Sequence, residues 1–302
     1  MATTNPAHTF PLERTVPGPN PEASAPTAFA PPPLACDAHC HVFGPAASFP
    51  FSPGRSYTPP DSGIDDFVRL QDRLGLSRAV FVQASCHGSD NSAMIDAIQR
   101  GDGRFAGVAM IDPTFTDADL DELHDNQVRG IRFNFVAHLG GAPDLDVCWE
   151  LVHRVATRDW HIVLHLDAKD FTHYSSVLDA MPVPYVIDHM ARVPAADGIE
   201  QEPFQRLLER ITTDEKCWVK ISCAERLTVG KVSPFDDVVP FARALIDAAP
   251  GRLLWGTDWP HPNLTTMPDE GELLDLLAAF APDPATRNQI LVDNPQLLYT
   301  FT

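Results

Sequence analysis

From Leu34 onward, short apolar runs alternate with stretches whose apolar residues recur at helical spacing. The runs are ACDAHCH, AVFVQAS, FAGVAMI, VRGIRFNF, HIVLHLD, YVIDHM, CWVKIS and LLWGTDW. Most are apolar on both phases of a two-residue repeat, so both faces require burial, as in the strands of a parallel sheet. Between them lie helical patterns. IDDFVRLQDRLGL ends near Gly75, NSAMIDAIQRG ends at Gly101, and TDADLDELHDN opens with acids that suit a helix N-terminus. LDVCWELVHRVATR, YSSVLDAM, EPFQRLLERI, PFDDVVPFARALIDAA and GELLDLLAAF follow, and PATRNQILVDNPQLLY closes the chain. Strand–helix alternation carried through eight strands, with no Gly-rich fingerprint after the first, predicts an α/β chain folded as a (β/α)8 TIM barrel rather than a doubly wound sheet. The barrel is expected to be a single domain over residues 34–302. Residues 1–33 are rich in Pro, Ala and Thr, end in Pro31-Pro32-Pro33, and read as an extended or disordered arm. The loop from Phe43 to Pro60 is long and Pro-rich, the kind that covers a site.

Polar residues interrupt these runs mainly where strands end, which in such a barrel is the face that carries chemistry. His39 and His41 are two residues apart, so in an extended strand they share a face and Cys40 points the other way. Two imidazoles on one face can hold a metal ion or polarise a substrate oxygen. Ser85 and His87 end the second run, Arg132 and Asn134 share a phase in the fourth, and His165 is near the end of the fifth. Asp188 and His189 end the sixth, Ser222 and then Arg226 follow the seventh, and Asp258 ends the eighth. Taken singly, each has an ordinary structural reading. Arg129 lies on the opposite phase from Arg132 and suits a barrel-to-helix salt bridge, Cys40 suits a core thiol, and His124 and His153 fall on helix surfaces. His161 begins its strand, at the wrong end for catalysis. Jointly, so many ionisable groups in apolar strands would be costly to bury without a task.

Composition narrows the partners. A net charge of −19, from 41 acidic and 22 basic residues, argues against nucleic-acid binding. It does not exclude an anionic substrate, because charge is screened over about 8 Å at physiological salt and local arginines dominate. No apolar run reaches membrane-spanning length, and the N-terminus lacks a basic start with an apolar stretch behind it. The expectation is a cytoplasmic protein without a membrane partner, for which a homo-oligomer remains open. Six cysteines without a CxxC pair suit reduced, mostly buried thiols.

His-x-His on strand one, His on strands five and six and Asp on strand eight resemble the amidohydrolase superfamily. CDAHCHVFGP, VQASCHGSDN, VRGIRFNFV, DHMAR, SCAERL and WGTDWPHPN, in that order, resemble its 2-pyrone-4,6-dicarboxylate lactonase branch, from Leu34 to the C-terminus. The resemblance implies hydrolysis of a small anionic lactone from the breakdown of aromatic compounds. It implies Asp258 as the general base, with His39, His41 and His189 around the scissile carbonyl and the water. Tyr57, Ser85, Arg132, Arg226 and Asn263 match substrate-contacting positions, and arginines suit a carboxylate or sulfonate because their fork binds two oxygens. Two positions depart from the pattern: His138 stands where the branch has an arginine, and His165 where it has a tyrosine. The dicarboxylate lactonases work without metal, but His165 completes a set of His39, His41, His165 and Asp258 suited to one zinc per chain. Sulfomuconolactone hydrolases, relatives that use zinc on a sulfonated lactone, fit these departures. No lysine ends strand four, which argues against a binuclear centre. The alternatives are a metal-dependent non-oxidative decarboxylase of the same superfamily and an inactive barrel used for binding, although every acid, base and ligand position is filled.

Overall fold

The computed structural model describes residues 15–139, 141, 143–230 and 232–301. Eight parallel strands follow one another around one sheet: β1 (Cys36–Cys40), β2 (Arg78–Val82), β3 (Phe105–Ala109), β4 (Val128–Asn134), β5 (His161–His165), β6 (Tyr185–Ile187), β7 (Cys217–Lys220) and β8 (Leu253–Leu254). Each adjacent pair in that order is hydrogen-bonded. Small and branched side chains, among them Val80, Val82, Ala106, Val108, Val163 and Val186, fill the barrel interior, and a larger apolar layer lies between strands and helices. Burial on both faces is the physical reason the strand sequences are apolar on both phases.

β8 is only two residues long, much shorter than its apolar run suggests. Beyond Leu254 the chain nevertheless stays beside β1 through Ala38 N–Trp255 O (2.8 Å), Asp258 N–His39 O (2.8 Å) and His41 N–Trp259 O (2.7 Å). A Cβ on Gly256 would fall 2.4 Å from the His39 backbone nitrogen, so only glycine permits this approach. These bonds set Asp258 against His39, near the end of β1, and His41, just beyond it.

Helices α1 (Ile64–Leu74), α2 (Ser92–Gln99), α3 (Asp117–Asp125), α4 (Leu145–Ala156), α5 (Phe171–Asp179) and α6 (Glu202–Thr213) fall within the expected stretches or within a few residues of them. α1 stops at Gly75, which takes the left-handed conformation (φ 72°) as a C-cap. A four-residue helix, α7 (Ala224–Leu227), follows β7 and carries Arg226; its shortness hides it from periodicity. α8 (Val239–Ala248) and α9 (Glu270–Phe280) flank β8 in sequence.

Residues 1–14 of the expected arm lie outside the described residues. From Thr15 the arm runs over the barrel and is tied down. Ser24 donates its backbone N–H and hydroxyl to Asp269, and Thr27 and Ala28 donate to Asp275 on α9 (2.7–3.1 Å). Val16 N–H reaches Thr58 O at 3.3 Å, beside Tyr57. The six cysteines are buried and unpaired. Among the described residues no helix is long and apolar enough to cross a membrane.

Candidate active site

The C-terminal end of the barrel gathers the polar residues around Asp258. Its Oδ1 lies 3.3 Å from His41 Nε2, 3.5 Å from His39 Nε2 and 3.9 Å from His189 Nε2. Its Oδ2 accepts from Arg226 Nε (3.2 Å) and Nη2 (2.7 Å), and Nη2 also reaches Pro262 O (2.8 Å). One carboxylate oxygen is therefore tied off and the other faces three imidazoles. Local backbone conformation aims these groups. Asp258, His261 and Asn263 have φ of 63°, 59° and 67°, and His189 to Arg192 form a left-handed turn with φ of 49–56°. Such conformations are costly for residues other than glycine and cluster where geometry is imposed by function.

Burial pushes the Asp258 carboxyl up, but Arg226, the His41 hydrogen bond and the neighbouring histidines outweigh it and hold it well below the usual carboxylate range. Burial lowers His189 to about 3 against the pull of Asp188 and Asp258, so its imidazole is neutral at pH 7. Burial, then Lys220, likewise hold His39 well below an ordinary histidine. A second layer supports the first. Arg132 Nε and Nη2 each lie 3.0 Å from Asp188 Oδ2, and His189 Nδ1 lies 2.9 Å from Ser222 Oγ.

His41, Tyr57, Ser85, Arg132, His165, His189, Arg226, Asp258 and Asn263 line one inner cavity of about 30 Å³. A vestibule of about 590 Å³ lies beyond, sharing Arg192, Arg226 and Asn263 with the inner cavity. His39 is fully buried beneath Asp258, outside the cavity lining. The side chain of His138 lies outside the described residues. His87, at the end of the second run, turns to the long loop: its Nε2 accepts from Gly44 N–H (3.2 Å) and Nδ1 faces Pro50 O (3.3 Å).

The donor set suits a metal ion at Asp258 Oδ1. One ligand atom each from His39, His41 and Asp258 lie within 4.8 Å of one another. His41 Nδ1 sits 2.7 Å from Val82 O, a contact that requires Nδ1–H, so Nε2, 3.3 Å from Asp258 Oδ1, is the atom His41 would offer a metal. His39 Nε2 is buried without a hydrogen-bond partner. The fourth expected ligand, His165, belongs to none of the clusters found among the described residues. Its Nδ1 lies 3.1 Å from Asn134 Oδ1, and its ring centre lies 5.6 Å from that of His189.

Sequence reasoning missed two residues at this site. Lys220, fully buried at the end of β7, places Nζ 2.8 Å from His39 Nδ1 and 3.1 Å from Asp188 Oδ1. The signal was a lysine inside an apolar strand with no route for its head group to solvent. Arg192 ends the DHMAR turn, lines both cavities and donates Nε–H to Asp167 (2.8 Å).

A parallel barrel with paired histidines at the end of its first strand and an aspartate after its last defines an amidohydrolase. The amidohydrolase family profile matches residues 36–301, and the chain belongs to that family. Among its relatives, a 2-pyrone-4,6-dicarboxylate hydrolase from Comamonas testosteroni is 44% identical over 273 residues, 88% of this chain and 90% of that one. A 4-sulfomuconolactone hydrolase from Rhizobium radiobacter is 43% identical over 280 residues, 91% of this chain and 93% of that one. A crystal structure from Pseudomonas putida, provisionally assigned as a 2-pyrone-4,6-dicarboxylic acid hydrolase, superposes with a TM-score of 0.78 at 32% identity, covering 89% of this chain and 98% of that one.

Proposed function

We propose that this protein hydrolyses a small anionic lactone of the 4-sulfomuconolactone or 2-pyrone-4,6-dicarboxylate type, with Asp258 as general base. The observation that carries the reading is the division of labour on one carboxylate: Oδ2 is held by Arg226, while Oδ1 lies 3.3 Å from His41 Nε2 and 3.9 Å from His189 Nε2, both lining the inner cavity with Asp258. The cavity of about 30 Å³ has room for one water, and the vestibule has room for the ring. Water attacks the lactone carbonyl as Asp258 Oδ1 takes its proton. The ring C–O bond then breaks, and the proton passes to the departing oxygen. His189, neutral and fixed by Ser222, orients the water or the carbonyl. Arg132, Arg226, Tyr57, Ser85 and Asn263 on the cavity wall receive the substrate's anionic group and ring oxygens, and His138 is a further contact expected from sequence. The two relatives named for such lactones, at 43–44% identity, support the substrate class.

A single zinc ion is the cofactor this reading favours, held by His39, His41 and Asp258, with His165 as the fourth ligand expected from sequence. When bound, it would polarise the lactone carbonyl and acidify the water. Elemental analysis of the purified protein tests it, with about one zinc per chain expected.

Turnover of the two lactones followed with a pH indicator tests the reaction. Hydrolysis creates a new carboxylic acid and releases acid; carbon dioxide release without net water uptake would instead identify a decarboxylase.

A further inference from the structure

Lys220 is a buried group at the site that the mechanism above leaves without a task. A neutral imidazole has one N–H and one lone pair, whereas an ammonium has three donors and no acceptor. Lys220 Nζ lies 2.8 Å from His39 Nδ1, within hydrogen-bond distance, and 3.1 Å from the Asp188 carboxylate that pairs with its charge. An ammonium at that position must donate to Nδ1. The proton of His39 is then on Nε2, pointing toward Asp258 Oδ1 at 3.5 Å. His41 is the opposite case, because its Nδ1–H donates to Val82 O rather than accepting from a cation. The two histidines of the pair are thus held at Nδ1 in opposite senses, His39 as acceptor and His41 as donor.

We infer that Lys220 and a metal ion compete for the single lone pair of His39, which makes Lys220 the residue that sets the metal affinity of the site. For Nε2 to ligate, Nδ1 must carry the proton and turn to Asp188 Oδ1, 3.3 Å away, with Lys220 withdrawn from it. Lys220 is accordingly a positioning residue. Without metal it holds His39 as a donor aimed at the general base. The inference rests on the metal reading of the same site, and the tautomer of His39 gives it a readout separate from that reading.

The test uses the full chain, 15N-labelled and stripped of metal, with the His39 signals identified by their loss in His39→Asn. Long-range 1H–15N correlation should find the proton on Nε2 in the wild type and on Nδ1 in Lys220→Met, with Lys220→Arg restoring Nε2–H. Zinc affinity by chelator competition should rise in Lys220→Met, by a factor of about 10 to 100, the size of the opposite change, a loss, that follows when groups supporting a metal ligand are removed. An Nδ1–H tautomer in the wild type overturns the inference, and that measurement needs no variant to fold. Equal zinc affinity in wild type and Lys220→Met overturns the competition while leaving the metal reading standing. A tautomer that moves as expected with no zinc uptake by either protein overturns both.

Discussion

Replacing Asp258 with Asn removes one charge and almost no volume, so its consequences can be read from the contacts of the two oxygens. On Oδ1 the loss is the base. General-base catalysis is worth about 10²–10⁴ in rate, or roughly 3–5 kcal/mol of barrier. On Oδ2 the loss is the anionic partner of Arg226, whose Nε and Nη2 both donate to it. Breaking such a pair costs about 3–5 kcal/mol when the remaining charge stays buried, and Arg226 is 15% exposed, so solvent recovers part of it. The expected outcome is kcat lower by at least 10²-fold, with KM for an anionic lactone unchanged or lower because a nearby negative charge has gone. Thermal melting should show a folded but less stable protein. The assay is indicator-monitored hydrolysis at saturating substrate, run beside circular dichroism. A folded Asp258→Asn protein within a few-fold of wild-type kcat would refute the assignment of Asp258 as base.

Other consequences follow from the same contacts. Arg226→Met should raise KM for an anionic lactone far more than for a neutral one. Because Arg226 opposes the burial that pushes Asp258 up, its loss should also let the Asp258 pKa rise, so activity should fall as pH drops through a range where the wild type is flat; parallel pH–rate profiles would argue against the pairing. His165→Tyr should lose the metal from the purified protein; unchanged stoichiometry would take His165 out of the ligand set and leave the three clustered residues. Stability of the chelator-treated protein should fall between pH 6.5 and 5. Burial lowers His161 and His189 to about 3, so in this range the unfolded chain takes up protons the folded chain refuses, at about 2 kcal/mol for each histidine. Asp37 works the other way: burial raises it to about 6, so the folded state binds its proton first and regains roughly 1 kcal/mol between pH 6 and 5. His39 and His165, also held well below an ordinary histidine by burial, add to the loss, while Glu225, raised by burial, and His261, raised against burial by its Glu270 hydrogen bond, oppose it. The net expectation is a loss of stability, read from urea midpoints at the two pH values; a gain on acidification would contradict it.

What was legible in the sequence is what period and strand-end position encode. All eight strands appear because burial on both faces makes them apolar on both phases. Asp258 and the His39/His41 pair are recognisable because polar side chains ending apolar strands converge on one face of a barrel. The rest depends on contacts across the barrel that no local pattern carries. Arg132 and Arg226 read as anion clamps for a substrate, yet each is also bonded to a carboxylate of the chain itself, Asp188 and Asp258. His87 sits at a strand end like the others but holds the long loop. Lys220 looks like a flaw in an apolar strand until β7 and β1 are seen across the barrel from residues 181 positions apart. β8 is short because the chain leaves the regular ladder to reach β1 through Gly256, a requirement of close approach rather than of hydrophobic pattern.

The central claim, water attack on a lactone carbonyl with Asp258 as base, is tested most directly by turnover in 18O-labelled water. The account predicts that 4-sulfomuconolactone or 2-pyrone-4,6-dicarboxylate gives a ring-opened acid with one 18O atom in the newly formed carboxylate and one acid equivalent released, and that Asp258→Asn loses both signals together. Label-free product, or carbon dioxide in place of the ring-opened acid, would contradict it.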